Sequence, residues 1–251
     1  PTFHNLRSSL QVGPRLAADC GVRGDVASLP VQQGTFDGPA DVSISSGCGS
    51  LTISTASGNG WQLQAANSSG KVPTVHGSSR SLSIEPAGED EYNFLTGGRQ
   101  TWDVSLPAGD IDSLSIEVAT SRSRVALPGA RLGRLALTAN ASEMTVDASG
   151  ASVASLSGTV NLGQLSLTLP ANSDVVGSLR VGGGRLEVCT PPGVGLRITD
   201  TGFPRQLEVA GLDVGASEWQ SPDYASATHH ADLTVHTTVG EVQINPIGGC
   251  R

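Results

Sequence analysis

Apolar and polar residues alternate along most of this chain, in short paired segments. Each unit has an apolar-x-apolar strand, a short loop rich in Gly, Ser and Asn, and a second apolar-x-apolar strand. Leu114, Leu135 and Leu156 begin three successive units and are evenly spaced. Alternation at every second residue places these side chains on one face of a strand. A unit that recurs at about 20 residues predicts a stacked, repeat-built β architecture.

Five long units follow this pattern. Their apolar positions are Leu114, Ile116, Val125 and Leu127; Leu135, Leu137, Met144 and Val146; Leu156, Leu165 and Leu167; Leu179, Val181, Leu186 and Val188; and Leu196, Ile198, Leu207 and Val209. Similar pairs open and close the body, at residues 42–53 and 233–244. We expect these side chains to point inward and to stack in rows.

The predicted fold is all-β, with elongated, repeat-built stacked sheets that are solenoid-like. A two-sheet β-sandwich is the alternative, because it also contains short alternating strands. Residues 1–34 lack the repeat, and we expect them to form an N-terminal arm on a single β-repeat domain over residues 35–251. The best alternative domain boundary lies at residues 108–110.

Composition and charge limit the partners. The chain has 251 residues, and only 4% of them are aromatic, so aliphatic side chains must fill the core. The net charge of −8 argues against a nucleic-acid partner and against electrostatic docking on anionic lipid. No apolar run reaches the roughly 20 residues of a membrane span. The chain begins at Pro1, and we expect it to be an excised piece or a mature form.

Four cysteines indicate the compartment: Cys20, Cys48, Cys189 and Cys250. None forms a CxxC pair, which argues against a zinc knuckle or a thioredoxin-like site. An even number of widely spaced cysteines in a β chain is typical of disulfides in an oxidising compartment. Three pairings are possible, and we favour Cys20–Cys48 with Cys189–Cys250, each holding a terminal segment to the sheet. The alternative is four free buried thiols in a cytosolic protein.

Three stretches of sequence resemble the toast-rack family of bacterial extracytoplasmic domains, which is related to putative adhesin domains. They are residues 102–107 (WDVSLP) leading into Leu114; residues 163–167 (GQLSL) and 184–188 (GRLEV) followed by PPGVG; and residues 221–224 (SPDY) before the closing strands. The resemblance covers residues 35–247. It implies a β-solenoid or layered sheet, often tethered to a membrane by a segment outside the domain, with some members linked to envelope-stress signalling. It supplies no catalytic residues. The four cysteines and the N-terminal arm depart from the family.

Candidate metal ligands are few. His229, His230 and His236 lie near Asp223 and Asp232, a combination that can bind Zn²⁺. Because adjacent side chains in a strand point to opposite faces, we expect the two adjacent histidines not to share an ion. The acidic residues Asp110, Asp112 and Glu117 could suggest Ca²⁺, but they lack the spacing of a calcium loop. The acidic run Glu89, Asp90 and Glu91 is typical of a surface loop that serves solubility. We therefore expect no metal and no cofactor, and solvated faces at these positions.

The sequence has no catalytic motif of the hydrolase, protease or nucleotide-binding types. Paired carboxylates for glycoside cleavage remain the alternative, since some β-solenoids cut polysaccharides. Only Trp61, Trp102 and Trp219 could form an aromatic sugar platform, and we expect Trp102 and Trp219 to pack instead.

The expected function follows from the predicted fold together with the family resemblance. We expect a non-catalytic, extracytoplasmic interaction or scaffold domain of the bacterial cell envelope, tethered in the full-length protein and acting in adhesion or envelope-stress signalling. Its partner would be a protein or glycan at the cell surface, with no nucleic acid, and with the membrane reached only through a segment outside this chain. A polysaccharide-active β-solenoid enzyme is the alternative.

Overall fold

The computed structural model describes residues 25–88, 98–109, 111–202, 207–209, 211–214 and 218–250. These residues form β-strands, with one 3-10 turn at Tyr224–Ser226. The strands are β1 (Ala27–Ser28), β2 (Gln32–Thr35), β3 (Ala40–Ala56), β4 (Gly60–Asn67), β5 (Thr74–Gly77), β6 (Ser81–Glu85), β7 (Gln100–Pro107), β8 (Ile111–Ala126), β9 (Arg131–Asp147), β10 (Ser152–Thr168), β11 (Val175–Val181), β12 (Arg185–Cys189), β13 (Val194–Asp200), β14 (Leu207–Val209), β15 (Asp213–Val214), β16 (Glu218–Gln220), β17 (His229–Thr237) and β18 (Glu241–Ile244). The part of the chain that the structure describes contains no helix long and apolar enough to cross a membrane.

The long central strands β8, β9 and β10 pair in parallel. We call one circuit of the chain, from a residue to the residue paired with it on the next strand, a coil. Leu114 lies opposite Leu135, and Leu135 lies opposite Leu156. Paired positions are 21 residues apart, as Arg122 and Glu143 illustrate. In-register stacking of this kind converts a sequence repeat into a row of identical side chains. The predicted stacked, solenoid-like all-β fold is confirmed.

Each long strand is bent in the middle. β8 has 16 residues, and a straight strand of that length would span about 50 Å. Residues 127–130 must return the chain to the start of β9, and they can span at most about 18 Å. The return is direct, because the Arg131 amide donates to the Ala108 carbonyl next to the start of β8. The first and second halves of each long strand therefore form two opposed sheets.

The alternation of buried residues changes phase at the bend. In β8, Ile116 and Val118 are buried before it, and Ser121, Ser123 and Val125 are buried after it. A phase change lets both halves direct apolar side chains into the same interior. We call the sheet of first halves the front sheet (β6, β11, β13, β17 and the first halves of β3, β8, β9 and β10). The sheet of second halves is the back sheet (β7, β12, β14, β18 and the second halves of the same four strands), which β4 extends.

Small residues occupy the bend because successive coils approach closely there. Gly163 has φ +100°, and a Cβ on it would lie 2.0 Å from the Ser142 carbonyl oxygen of the preceding coil. Gly49 has φ +141°, and a Cβ there would lie 1.9 Å from the Gln100 carbonyl oxygen. Glycine alone fits both the backbone conformation and the space.

One aliphatic core fills the space between the two sheets. Ile116 and Leu137 come from the front sheet, and Val125 and Val146 come from the back sheet; all are almost fully buried. The three tryptophans lie towards the two ends of the stack. Trp61, Trp102 and Trp219 are each less than 10% exposed. Their rings therefore pack in the core, as expected for Trp102 and Trp219, and offer no sugar platform.

The coils are not stacked in chain order at the two ends. β6 and β7 pair with β3 on the side away from β8, so the second coil lies outside the first. β17 pairs with both β11 and β13, so the last coil lies between two earlier ones. Antiparallel strands β4, β5 and β16 then pair with the outer coils. Such added strands cover edges that would otherwise invite pairing with another chain.

Candidate functional site

The outer surface of the back sheet carries rows of polar side chains that cross the strands. Residues in register on neighbouring strands share a face, so every second position contributes to such a row. One row runs from Gln64 on β4 through Asp103 on β7 to Thr52 on β3. The adjacent row runs through Gln62, Ser105 and Ser54 on the same strands.

These two rows line an open groove of about 220 Å³. We call it the outer groove; its polar lining is Thr52, Ser54, Gln62, Gln64, Asp103 and Ser105. Val104 lies beneath it and is buried in the core. The apolar sides of the three strands fix the positions of these polar groups, because Ile53, Leu63 and Val104 anchor the opposite face.

The polar groups of the outer groove are not engaged with the protein. Within the described ranges, none of the six side chains hydrogen-bonds or ion-pairs with another residue. Elsewhere on the same face two arginines form ion pairs: Arg122 Nε contacts Glu143 Oε2 at 3.1 Å, and Arg185 Nη2 contacts Glu241 Oε2 at 3.0 Å. The six polar side chains of the outer groove are therefore available to a ligand.

A second polar cluster lies on the front sheet, where β13 pairs with β17. Arg197 Nε donates to Asp232 Oδ1 at 2.9 Å, and the Tyr224 hydroxyl donates to the same oxygen at 2.7 Å. The Arg197 guanidinium lies 5.0 Å from the centre of the Tyr224 ring, within cation–π range. These contacts hold the turn at Tyr224–Ser226 against β13 and β17. Because Arg197, Asp232 and Tyr224 bond to one another, we interpret the cluster as structural and call these three residues the clamp.

The clamp shifts two pKa values. Partial burial raises the pKa of Tyr224 to about 12, and its hydrogen bond to Asp232 adds to the effect. The hydrogen bond from Arg197 to Asp232, with the attraction between the two charges, raises the pKa of Arg197 further. Both shifts favour the protonated forms, which are the forms that donate to Asp232.

The two adjacent histidines approach one carboxylate. The Nδ1 atoms of His229 and His230 both lie 3.7 Å from Asp174 Oδ1. The same oxygen accepts from the His230 backbone N–H at 2.8 Å, at the start of β17. His230 Nε2 also lies 2.9 Å from the Tyr224 carbonyl oxygen. Among the described residues, no group of three or more His, Cys, Asp or Glu is arranged to bind a metal ion.

The remaining sequence candidates are dispersed. His236 Nδ1 contacts the Thr201 carbonyl oxygen at 3.2 Å, away from the other histidines. Asp223 is exposed beside the 3-10 turn. Asp112 is exposed, and Glu117 Oε1 accepts from Asn140 Nδ2 at 3.1 Å. Asp110, Glu89, Asp90 and Glu91 lie outside the described residues.

Cys189 and Cys250 form a disulfide with Cα atoms 5.8 Å apart and a sequence separation of 61 residues. It joins β12 to the segment after β18, and it is one of the two pairings that the sequence favours. Cys48 is also disulfide-bonded. Its predicted partner Cys20 lies outside the described residues, so the Cys20–Cys48 pairing stays a prediction.

The sequence pattern did not reveal the outer groove. Its residues come from three strands, and β4 runs antiparallel to β7 outside the 21-residue repeat. Gln62 and Gln64 are recognisable as outward-facing positions of a strand, but nothing in the sequence places them beside Asp103.

Comparison with known proteins gives a family and a fold. The family model described as the N-terminal domain of toast_rack, DUF2154, matches residues 37–169. A crystal structure of a putative cell adhesion protein from Clostridium sporogenes superposes with a TM-score of 0.57 at 17% identity, covering 88% of this chain and 99% of that one. A putative adhesin from Bacteroides fragilis has a TM-score of 0.33 at 9% identity, covering 88% of this chain and 97% of that one. No curated protein matches the sequence.

Proposed function

Because the chain belongs to the toast-rack family, we propose that it is a non-catalytic interaction domain of the bacterial cell envelope, located outside the cytoplasm. In the full-length protein a segment outside this chain tethers it to a membrane. Its role is to bind a protein or glycan at the cell surface, in adhesion or in envelope-stress signalling. The fold shared with the Clostridium sporogenes protein, whose name includes cell adhesion, supports this proposal.

The observation that carries the proposal is a rigid, continuous surface that carries a polar groove. A single core joins the coils, so the outer faces of both sheets keep fixed positions along the whole stack. Stacked repeats of this kind use their extended faces for binding. The polar outer groove offers recognition groups that the fold itself does not use.

A polysaccharide-cutting role receives less support. Glycoside hydrolysis uses two carboxylates that flank the scissile bond. Asp103 is the one carboxylate in the lining of the outer groove, and its neighbours are amides and hydroxyls. Such a lining suits binding better than acid–base chemistry.

The disulfide state tests the proposed compartment. Disulfides persist in oxidising compartments and are rare in the cytosol. If the protein is taken from its native host with free thiols blocked during lysis, we expect the four cysteines of this chain to remain unmodified until reduction. Four blocked thiols, found by peptide mass spectrometry, would place the domain in a reducing compartment and refute the proposal.

A further inference from the structure

We propose that the outer groove binds a neutral glycan, with Asp103 and Gln64 as the main recognition residues. This inference rests on the proposed function and names the class of ligand. Three observations support it. The groove holds both hydrogen-bond donors and acceptors, these groups make no bonds within the described part of the protein, and the charge and strand pairing around them disfavour other ligands.

The lining matches the chemistry of a sugar. Vicinal sugar hydroxyls both donate and accept hydrogen bonds. The Asp103 carboxylate is acceptor-only and can take two hydroxyl donors, while the Gln64 and Gln62 amides each offer donors and an acceptor. The hydroxyls of Thr52, Ser54 and Ser105 can act either way. Together they supply both hydrogen-bonding roles within one sugar-sized groove.

Charge argues for a neutral ligand. The polar lining contains one acidic residue, Asp103, and the exposed Arg124 lies beside it, in register with Thr52. These two opposite charges give neither an anionic nor a cationic ligand a net attraction, and a single exposed charge is worth little in water. Hydrogen bonds between uncharged hydroxyls and the carboxylate remain favourable.

A peptide is a poorer fit. A peptide that adds to a sheet needs the free backbone groups of an edge strand. β7, in the middle of the groove, is already paired with β4 on one side and β3 on the other. The groove also lacks an exposed apolar side chain to anchor one, since Val104 is buried.

The small size of the groove limits its affinity for a glycan. About 220 Å³ is smaller than the roughly 300–1,000 Å³ of pockets that enclose drug-sized ligands. It accommodates about one sugar of a longer chain, with no aromatic ring to stack on it. We therefore expect a Kd in roughly the millimolar range for a single groove, and firm attachment only through many copies.

The test is binding of defined oligosaccharides to the folded protein. Maltohexaose, cellohexaose, mannohexaose and chitohexaose are the neutral probes, and oligogalacturonate is the anionic one. Saturation-transfer NMR detects millimolar binding. We expect binding of at least one neutral probe, weakened about tenfold by Asp103→Asn and by Gln64→Ala.

Asp112→Asn is the matched control, because Asp112 is also an exposed strand carboxylate but lies outside the groove. It should leave binding unchanged, and all three variants should keep the parent melting temperature. No binding of any neutral probe, or binding only of oligogalacturonate, would overturn the inference. Binding that the groove variants do not affect would also overturn it, while leaving the proposed envelope function standing. Failure of that function is detected separately, by blocked cysteine thiols.

Discussion

At the scale of single residues, the bend of each coil imposes the strictest requirement. Gly163 combines a positive φ with a carbonyl oxygen of the neighbouring coil where its side chain would be. Gly58 has nearly the same φ, +103°, but no atom lies within 4 Å of its ideal Cβ position. Comparing substitutions at the two glycines therefore distinguishes the cost of backbone strain from the cost of a clash between coils.

Replacing each glycine with alanine should give different losses of stability. Gly58→Ala should lower the free energy of unfolding by about 1 kcal/mol, from the left-handed backbone alone. Gly163→Ala adds a clash with the Ser142 carbonyl oxygen and should lower it by about 3 kcal/mol or more. Urea unfolding followed by circular dichroism measures both. Equal losses would mean that the coils can separate at the bend without penalty.

Tyr224 makes a pH-dependent contribution to stability. Its pKa in the folded state is about 12, above the unfolded value of 10.0. The stabilisation is fully present below pH 10 and is lost as the pH rises towards 12, because the unfolded chain ionises first. Unfolding free energies measured across this window should fall more steeply for the parent than for Tyr224→Phe.

The hydrogen-bond partner of Tyr224 offers a second check. Asp232→Asn should lower the pKa of Tyr224 only part of the way, because burial is the larger cause. Absorbance at 295 nm follows the ionisation, and Tyr224→Phe identifies the inflection that belongs to this residue. An Asp232→Asn protein with an unchanged inflection would show that the charge of Asp232 has no part in the shift, since the Asn amide oxygen can still accept the hydrogen bond.

At the scale of elements, the repeat was predictable in its middle and not at its ends. Leu114, Leu135 and Leu156 stack as predicted, because parallel in-register pairing preserves the sequence spacing. The next position in the row is Gly177, not Leu179. A Cβ on Gly177 would lie 2.9 Å from Leu233 Cδ2, so the last coil fills the space that a fourth leucine would take. That coil lies 56 residues further along, as the pair Arg185–Glu241 shows.

The outer groove could not be predicted either, because it also depends on the order of the strands at an end of the stack. Which strands become neighbours at the ends depends on how the whole core closes, and not on any local pattern. β4 and β7 pair in antiparallel orientation, outside the 21-residue repeat, so the sequence spacing does not show which of their outward polar residues become neighbours. The inward residues were predictable from alternation alone; the grouping of outward ones was not.

The Cys189–Cys250 disulfide secures the last coil. It closes a loop with a sequence separation of 61 residues. The chain-entropy model assigns about 4 kcal/mol to a loop of this size. Removing both cysteines, as Cys189→Ala with Cys250→Ala, should lower the free energy of unfolding by about 2–4 kcal/mol, since the C-terminal segment beyond β18 can fray. Urea unfolding without reductant measures the loss, and a change below about 0.5 kcal/mol would contradict it.

At the scale of the whole molecule, the fold is a rigid stack whose chemistry lies on its surface. Serine is the commonest buried polar residue among the described residues, and Glu187 is the buried carboxylate among them, accepting a hydrogen bond from Ser166. Within the described residues no metal-binding cluster is present. The membership of the toast-rack family agrees with the proposed interaction role.

An extracytoplasmic position can be tested directly through the one lysine of the chain. Lys71 is exposed between β4 and β5. A charged amine-reactive biotin is added to native host cells whose outer layers are permeable but whose cytoplasmic membrane is intact, and the Lys71 peptide is then examined by mass spectrometry. We expect Lys71 to be labelled while a cytoplasmic marker is not, and Lys71→Arg to remove this label. Labelling of Lys71 only after the cytoplasmic membrane is broken would contradict an extracytoplasmic position.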